Sequence, residues 1–202
     1  MGGRRGAPGP ALERPAVGVF LVNGLNASYI DSARLRLVPA TADITRADLD
    51  GPEALARRLG LDVPAEWPPE LYSRHALQLT LALLADASHH GWTNWYLATR
   101  GGQGVSTLAG VCGFKGRPDG AGSVEITYSL LPAFQGQGLA SEAVSRLVEW
   151  AFSHPRVNEV SAETFPHLRR SIAVLRRNGF MPAGKGSEYG VVRYVISRSN
   201  LA

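Results

Sequence analysis

Three strand-like segments with short connections precede a glycine-rich bend, and this order constrains the fold more than any other feature. The segments are "NWYLATR" (94–100), "STLAGVCGFKG" (106–116) and "GSVEITYSLL" (122–131), and their apolar residues favour a period of two. Gly101-Gly102 and "RPDGAG" (117–122) separate them. Turns this short and this rich in Gly, Asp and Pro join antiparallel neighbours. The sequence therefore predicts an antiparallel meander.

A long amphipathic helix follows the bend. Leu139, Ala143, Leu147 and Trp150 form one apolar stripe, and Pro155 comes after the last apolar residue. This spacing predicts a helix over about 138–153, because one helical face repeats every three to four residues.

The remaining segments complete a mixed α+β pattern. We expect a strand at 33–40, a short helix from Pro52 to Gly60, a helix at 71–90, a strand at 157–164, a helix at 166–178 and a last strand at 190–196. Thr41, directly after the first of these strands, is a candidate helix cap. These elements predict a mostly antiparallel twisted sheet flanked by helices, with one βα crossover at the bend. Residues 1–15 are rich in Gly, Pro and Arg, so we expect a poorly ordered extension at 1–31 before a single domain at 32–198.

Composition argues against several classes of function. The chain has 21 Lys and Arg against 17 Asp and Glu, and no basic run is interleaved with aromatic residues, so we expect no nucleic acid partner. A lone Cys112 and five scattered His predict neither a disulfide nor a metal site. The lone cysteine fits a reducing compartment. No apolar run reaches the 18 or so residues of a membrane span, so we expect no membrane partner. We also expect a cytoplasmic location and a monomer or homodimer.

The bend itself predicts a cradle for an anion. A helix start leaves backbone N–H groups unpaired and carries roughly half a positive charge, and preceding glycines let a ligand approach. Residues 135–140, "QGQGLA", fit this role, and the alternative is a tight turn that binds nothing. A P-loop is excluded because Leu139 follows Gly138 where that motif needs Lys. A dinucleotide fingerprint matches at Gly136 and Gly138, but Ser141 stands at its third glycine and antiparallel strands precede it.

At these residues the chain resembles the GNAT superfamily of N-acetyltransferases. The family's pyrophosphate motif is Gln or Arg, two residues, Gly, one residue, then Gly or Ala, and Gln135, Gly138 and Ala140 match it. "SIAVLRRNGFMPAG" (171–184) resembles the family's late helix, and "ARLRLVPAT" (33–41) resembles its first strand. The nearest group is the one that includes ribosomal-protein alanine acetyltransferases.

The resemblance implies an acyltransferase that moves an acetyl group from acetyl-CoA directly to a primary amine and releases CoA. The amine would belong to a small molecule or a peptide N-terminus. The implied coenzyme-binding residues lie at the end of the third strand, in the bend and in the late helix: Ser129, Leu130, Leu131, Gln135, Gly136, Gln137, Gly138, Leu139, Ala140, Ser141 and Ser171. The free backbone groups of the first three would pair with the amides of the coenzyme arm.

Two catalytic residues are implied by the same resemblance. Glu125, in the strand before the bend, matches a family position that supplies a general base, and the alternative is a cross-strand ion pair. Leu175 stands where many relatives have a Tyr that acts as general acid toward the leaving thiolate. Ser171, one helical turn earlier, is therefore the candidate acid or thiol partner, and the alternative is a surface or capping role.

Other candidates and other functions stay open at this point. Three aromatic residues are candidates for the acceptor wall, with core packing as the alternative: Trp67, Tyr72 and Trp92. Three arginines are candidate phosphate partners, with a solvated face as the alternative: Arg169, Arg170 and Arg176. The missing Tyr allows a non-catalytic acyl-CoA binder of the same fold, and the two glycines allow a nucleotide-binding module.

Overall fold

The structure, a computed structural model, describes residues 17–22, 25–100 and 105–201 of the 202-residue chain. In chain order its elements are β1 (Val17–Val22), β2 (Leu25–Asp31), β3 (Leu35–Pro39), α1 (Ala42–Asp50), α2 (Pro52–Leu59), α3 (Arg74–Leu83), β4 (Asn94–Thr99), β5 (Leu108–Phe114), β6 (Ser123–Leu130), α4 (Leu139–Phe152), β7 (Glu159–Thr164), α5 (Arg169–Arg177), β8 (Met181–Lys185) and β9 (Val192–Ser197). Within the described residues, nine strands form one sheet.

The sheet has the order β1-β2-β3-β4-β5-β6-β7-β9-β8. Its neighbours are antiparallel except β6 and β7, which run parallel. A parallel pair needs a crossover connection, and α4 supplies it. The predicted mixed α+β architecture, with one βα crossover at the bend, is confirmed.

Two hydrophobic cores lie on opposite faces of this sheet. The first packs α4 and α5 against the strands and contains Trp95, Ile126, Leu147 and Leu175 among its buried residues. The second packs α1, α2 and α3 on the other face and contains Leu55, Tyr96 and Leu131. Truncating a fully buried leucine such as Leu147 to Ala would cost about 2–5 kcal/mol, because a cavity adds to the lost transfer energy.

The glycines of β5 are required by close backbone approach. A β-carbon at Gly110 would collide with the backbone of Ser129 and Leu130, and one at Gly113 with the backbone of Thr93 and Asn94. The run "LAGVCGF" is therefore a central strand whose backbone packs closely against β4 and β6, and every residue in it is buried.

The structure differs from the sequence expectations at several elements. Residues 1–16 and 23–24 of the predicted extension lie outside the described residues, as does the Gly101-Gly102 turn. The rest of that extension forms β1 and β2, and β2 joins β3 through the pairs Ile30↔Leu37 and Asp31↔Arg36. The helix predicted at 71–90 is shorter, because α3 ends at Leu83. The domain boundary at residue 32 stays a prediction.

Asp86 accounts for part of that shortening. Its side chain accepts a hydrogen bond from the Ser88 N–H and so starts a separate 3-10 turn at Ala87–His89. Across the part of the chain that the structure covers, no helix combines the length and apolar character that crossing a membrane requires.

Candidate functional site

The predicted bend is a loop between the end of β6 and the start of α4. Gly136 has φ 74° and Gly138 has φ 81°, both in the left-handed region that other residues adopt at a cost. A β-carbon at Gly136 would have no atom within 4 Å, so the space in front of the loop is open. Both glycines are therefore required by backbone conformation, and they leave the loop accessible.

The start of α4 lacks the usual cap. Gly138 is its N-cap, and no side chain within the described residues caps the first turn. The first backbone N–H with an acceptor inside the helix is that of Glu142, which donates to the Gly138 carbonyl over 3.1 Å. The N–H groups of Leu139, Ala140 and Ser141 therefore have no acceptor within the helix, and they point toward the loop with the positive end of the helix dipole.

Ser141 adds a hydroxyl to this helix start. Its Oγ is shielded from solvent and has no hydrogen-bond partner within the described residues. A buried hydroxyl without a partner is costly, and an anion on the neighbouring amides would give it one. The loop and this first turn therefore fit a diphosphate.

β6 and β7 separate beside the loop. Their parallel pairing covers three residue pairs, Ser123↔Glu159, Val124↔Val160 and Glu125↔Ser161, whereas β6 continues to Leu130. From Ile126 onward, β6 is paired on one side only, with β5. The sheet therefore opens into a gap between two strands.

The hydrogen bonds of β6 show which groups face this gap. Lys115 N–H donates to the Glu125 carbonyl, and Leu131 N–H donates to the Ala109 carbonyl, each over 3.0 Å. Since bonded residues alternate along an antiparallel pair, the backbone groups of Ser129 also bond to β5. The expectation that Ser129 and Leu131 have free backbone groups is wrong. The Ser129 groups face β5, the Leu131 N–H donates to the Ala109 carbonyl, and the Leu131 C=O accepts from the Phe134 N–H.

The peptide groups of Tyr128 and Leu130 face the gap instead. The Leu130 carbonyl accepts from the Gln135 side chain over 2.9 Å, which ties the loop to the strand end. The Leu130 N–H stays directed into the gap. Of the three strand residues predicted to pair with a coenzyme arm, Leu130 has its backbone on the required side.

Glu125 lies at the last residue pair before the gap. Its side chain is on the face opposite Val124 and Ile126, as alternation predicts, and it forms an ion pair with Lys115 at 2.5 Å. The carboxylate is 24% exposed and the lysine 56% exposed. The cross-strand ion pair is therefore present, and the role of Glu125 as a base stays a prediction.

Two further carboxylates of β7 share this face. Glu163 accepts from both the N–H and the Oγ of Ser187, and these bonds lower the pKa of Glu163 although partial burial opposes the shift. Glu159 accepts from Arg193 over 2.9 Å and from Ser123 over 3.1 Å. Glu125 is thus held by a flexible lysine, whereas Glu159 and Glu163 are bonded more extensively.

Ser171 is in the first turn of α5, where its Oγ lies 3.0 Å from the Oη of Tyr128. The Tyr128 hydroxyl also donates to the Ser171 carbonyl over 3.1 Å. Burial raises the pKa of Tyr128 to about 12, partly offset by the bond to Ser171, so the phenol is protonated at neutral pH. The buried Leu175 offers no hydroxyl. Tyr128 is a candidate site residue that sequence reasoning missed, and it lies on the same face of β6 as Val124 and Ile126.

The three aromatic candidates for the acceptor wall are core residues. Trp67, Tyr72 and Trp92 are all buried, so the core-packing alternative is the correct one. Trp67 donates from Nε1 to the buried carboxylate of Asp48, and Tyr96 donates to its other oxygen. Burial raises the pKa of Asp48, although these hydrogen bonds oppose the shift.

Two arginines reach the loop from distant segments. Arg169, Arg170 and Arg176 are all exposed, and Arg170, from α5, approaches the Gln135 side-chain oxygen at 3.3 Å. Arg34, just before β3, donates to the Gln137 carbonyl over 2.8 Å. Sequence reasoning missed Arg34, because no local pattern links it to a loop more than 100 residues away.

Comparison with known proteins agrees with this geometry. The family described as "Acetyltransferase (GNAT) domain" matches residues 34–181. A Bacillus subtilis (strain 168) protein named "Uncharacterized N-acetyltransferase YjdG" is 24% identical over 160 residues, which cover 79% of this chain and 94% of that protein.

Solved structures share the fold. The ribosomal alpha-N-protein acetyltransferase RimL, in an apo crystal form, has a TM-score of 0.62 at 20% identity, covering 89% of this chain and 99% of RimL. RimL in complex with coenzyme A has a TM-score of 0.57 at 22% identity, covering 82% and 95%. The ribosomal-protein-S5-alanine acetyltransferase from Vibrio fischeri has a TM-score of 0.59 at 17% identity, covering 86% and 98%.

Proposed function

The chain belongs to the GNAT acetyltransferase family, and from this premise we propose that it moves an acetyl group from acetyl-CoA directly to a primary amine. The single observation that carries the proposal is the uncapped start of α4 at Gly138, next to the gap between β6 and β7. An anion-binding helix start beside an unpaired strand edge suits a ligand with a diphosphate at one end and an amide-bearing arm.

The coenzyme would be held by the loop and by the edge of β6. The N–H groups from Gly136 to Ser141 would bind the diphosphate, with the Ser141 hydroxyl as a further donor. The backbone groups of Tyr128 and Leu130 would pair with the arm as a neighbouring strand does. When bound, acetyl-CoA supplies an acetyl group activated as a thioester. The Leu130 N–H, directed into the gap, would bind the arm near the loop, and the thioester would lie farther along β6, beside Glu125.

Glu125 is the base of this proposal. An amine is protonated at neutral pH and must lose a proton before it attacks. Glu125 lies where β6 and β7 separate, at the inner end of the gap, about 17 Å along the strand from Leu130 at roughly 3.4 Å per residue. Its carboxylate would accept the amine proton, directly or through a water, when Lys115 moves aside.

Ser171 and Tyr128 form the acid side of the proposal. The Ser171 hydroxyl would donate a proton to the departing sulfur, and Tyr128, protonated at neutral pH, would orient Ser171 and donate to its oxygen as that proton leaves. Water would return a proton to Tyr128 after CoA departs. This pair takes the place of the Tyr that many relatives carry at the position of Leu175.

The acceptor is a primary amine on a small molecule or at a peptide N-terminus. The names of RimL and of the Vibrio fischeri enzyme, an alpha-N-protein and a ribosomal-protein-alanine acetyltransferase, support a peptide N-terminus as the acceptor. The acceptor would approach the face of β6 and β7 that carries Glu125 and Glu163.

Two measurements test the proposal. Thermal unfolding with CoA, acetyl-CoA and NAD should show stabilisation by the first two and not by NAD. Release of free thiol from acetyl-CoA with a panel of amines and N-terminal peptides should then reveal turnover. Binding of CoA with no turnover on any amine would favour the non-catalytic acyl-CoA binder, and stabilisation by NAD alone would overturn the proposal.

A further inference from the structure

Arg34 forms hydrogen bonds both with the loop before α4, at Gln137, and with the first turn of α4, at Glu142. Its backbone N–H and its Nε each donate to the Glu142 carboxylate over 2.7 Å, one to each oxygen. Its Nη1 donates to the Gln137 carbonyl over 2.8 Å. Its own carbonyl accepts from the Arg100 N–H over 2.7 Å, which fixes the Arg34 backbone to β4. One side chain from the start of β3 thus bridges the loop and the first turn of α4.

The bond to Gln137 determines the orientation of one loop peptide. In a trans peptide, the C=O and the following N–H point in opposite directions. Because the Gln137 carbonyl is turned toward Arg34, the N–H of Gly138 is turned away from Arg34 and is left to an anion on the other side of this peptide. Without this bond the peptide could rotate and present a carbonyl, rather than an N–H, to an anion.

The bonds to Glu142 remove a second obstacle to anion binding. Glu142 lies in the first turn of α4, beside the N–H groups that would bind the diphosphate. Burial would raise the pKa of Glu142, but hydrogen bonds from Ser32 and Arg34 and the Arg34 charge lower it, so the carboxylate is ionised at neutral pH. A negative charge at this place would repel a phosphate unless a fixed cation neutralises it. The Glu142 side chain is 16% exposed, so water screens it poorly.

We propose that Arg34 is a positioning residue for coenzyme binding, which orients the Gln137–Gly138 peptide and neutralises Glu142. This inference rests on the proposed function, since it assumes that the loop binds the diphosphate of acetyl-CoA. Arg34 acts through the loop and the helix start, and not on the reacting atoms.

The test is a set of variants measured by binding and kinetics. Arg34→Ala should raise the dissociation constant for CoA, measured by calorimetry, about tenfold or more, and raise KM for acetyl-CoA similarly, with kcat within about twofold of the unchanged protein. Arg34→Lys should recover only part of this loss, because an ammonium cannot bridge two acceptors as a guanidinium fork does. Adding Glu142→Gln to Arg34→Ala should improve CoA binding over Arg34→Ala alone, because the unpaired carboxylate is then gone.

Arg46→Ala is the matched control. Arg46 is a surface arginine paired with Asp43 on α1, 61% exposed, and its loss should leave CoA binding unchanged. The inference would be overturned if Arg34→Ala bound CoA with wild-type affinity, or if Arg34→Lys restored the affinity for CoA in full. It would also be overturned if the double variant bound CoA no better than Arg34→Ala.

Hydrogen exchange of the unliganded protein separates this inference from the proposed function. Arg34→Ala should speed exchange of the Glu142 and Ala143 amides in the first turn of α4. Unchanged exchange would overturn the positioning role of Arg34 whether or not CoA binds. If the unchanged protein fails to bind CoA while exchange in the variant rises, the proposed function fails and the role of Arg34 in coenzyme binding fails with it. Only the anchoring of the helix start would then stand.

Discussion

Two helices of this protein begin in opposite ways. At α1, the Thr41 side chain accepts from the Ile44 N–H and closes the helix start, as sequence patterns predict. At α4, Gly138 provides no such acceptor and the first amides stay open. A capping side chain is worth about 0.5–2 kcal/mol, so the start of α4 gives up local stability. The α1 start is thus closed by its own side chain, whereas the left-handed Gly138 leaves the α4 start open for the coenzyme of the proposed function.

The largest expected effect comes from filling the open helix start. Gly138→Val forces a branched side chain into a left-handed conformation and places its β-carbon about 3.5 Å from Arg34 Nη2. We expect CoA binding to fall at least about a hundredfold, measured by calorimetry and by loss of the CoA-induced thermal shift.

Gly60→Val is the control for that change. Gly60 has φ 66° at the C-terminus of α2, with no atom within 4 Å of a β-carbon, so it carries the same backbone strain far from the loop. It should lower stability by about 1–2 kcal/mol and leave CoA affinity unchanged. If both variants bind CoA equally well, the open helix start is not the binding site.

Glu125→Gln should affect chemistry but not the helix start. We expect kcat to fall about a hundredfold, as for loss of a general base, while the thermal shift with CoA stays the same. Steady-state kinetics across pH provide the measurement. Unchanged turnover would remove Glu125 as the base and leave its ion pair with Lys115 as its only role.

Tyr128→Phe should have a smaller effect on turnover. We expect kcat to fall about tenfold with KM for acetyl-CoA within about twofold, because the phenol acts on Ser171 and not on coenzyme affinity. Ser171→Ala should give a similar loss, and the double variant should lose little more, since the two hydroxyls act as a unit. Additive losses would show that the two residues act independently.

The smallest effect is expected at the capped helix. Thr41→Ala should lower stability by about 1 kcal/mol, or roughly 3 °C in Tm for a domain of this size. CoA affinity and kcat should not change. A loss of CoA affinity here would mean that the two helix starts do not have separate roles.

The sequence predicts the central meander and the helix after the loop well. The helix expected over about 138–153 is observed at Leu139–Phe152, because the glycines, the apolar stripe and Pro155 are local signals. β8 was missed, since all five of its residues are exposed and none alternates with a buried one. β1 and β2 were missed because Gly, Pro and Arg dominate the residues before them.

For the candidate site, the sequence predicts the loop but not the groups that hold it. Gln135 to Ala140 form a contiguous motif, so spacing alone identifies them. Arg34 and Tyr128 act through contacts that span 103 and 43 residues of sequence, and only the folded chain brings them to the site. The backbone directions of Ser129 and Leu131 depend on register with β5, which spacing alone does not fix.

The short pairing of β6 with β7, which covers three residue pairs, bears on how firmly the two parts of the sheet are held together. They divide the sheet into two blocks, β1–β6 and β7–β9, whose seam is shorter than either strand. A coenzyme in the gap would bridge these blocks, and at a hundredfold excess over its dissociation constant it would add about 2.7 kcal/mol to the free energy of unfolding. Under the proposed function, the concentration of the coenzyme would thus affect the resistance of the protein to unfolding as well as its turnover.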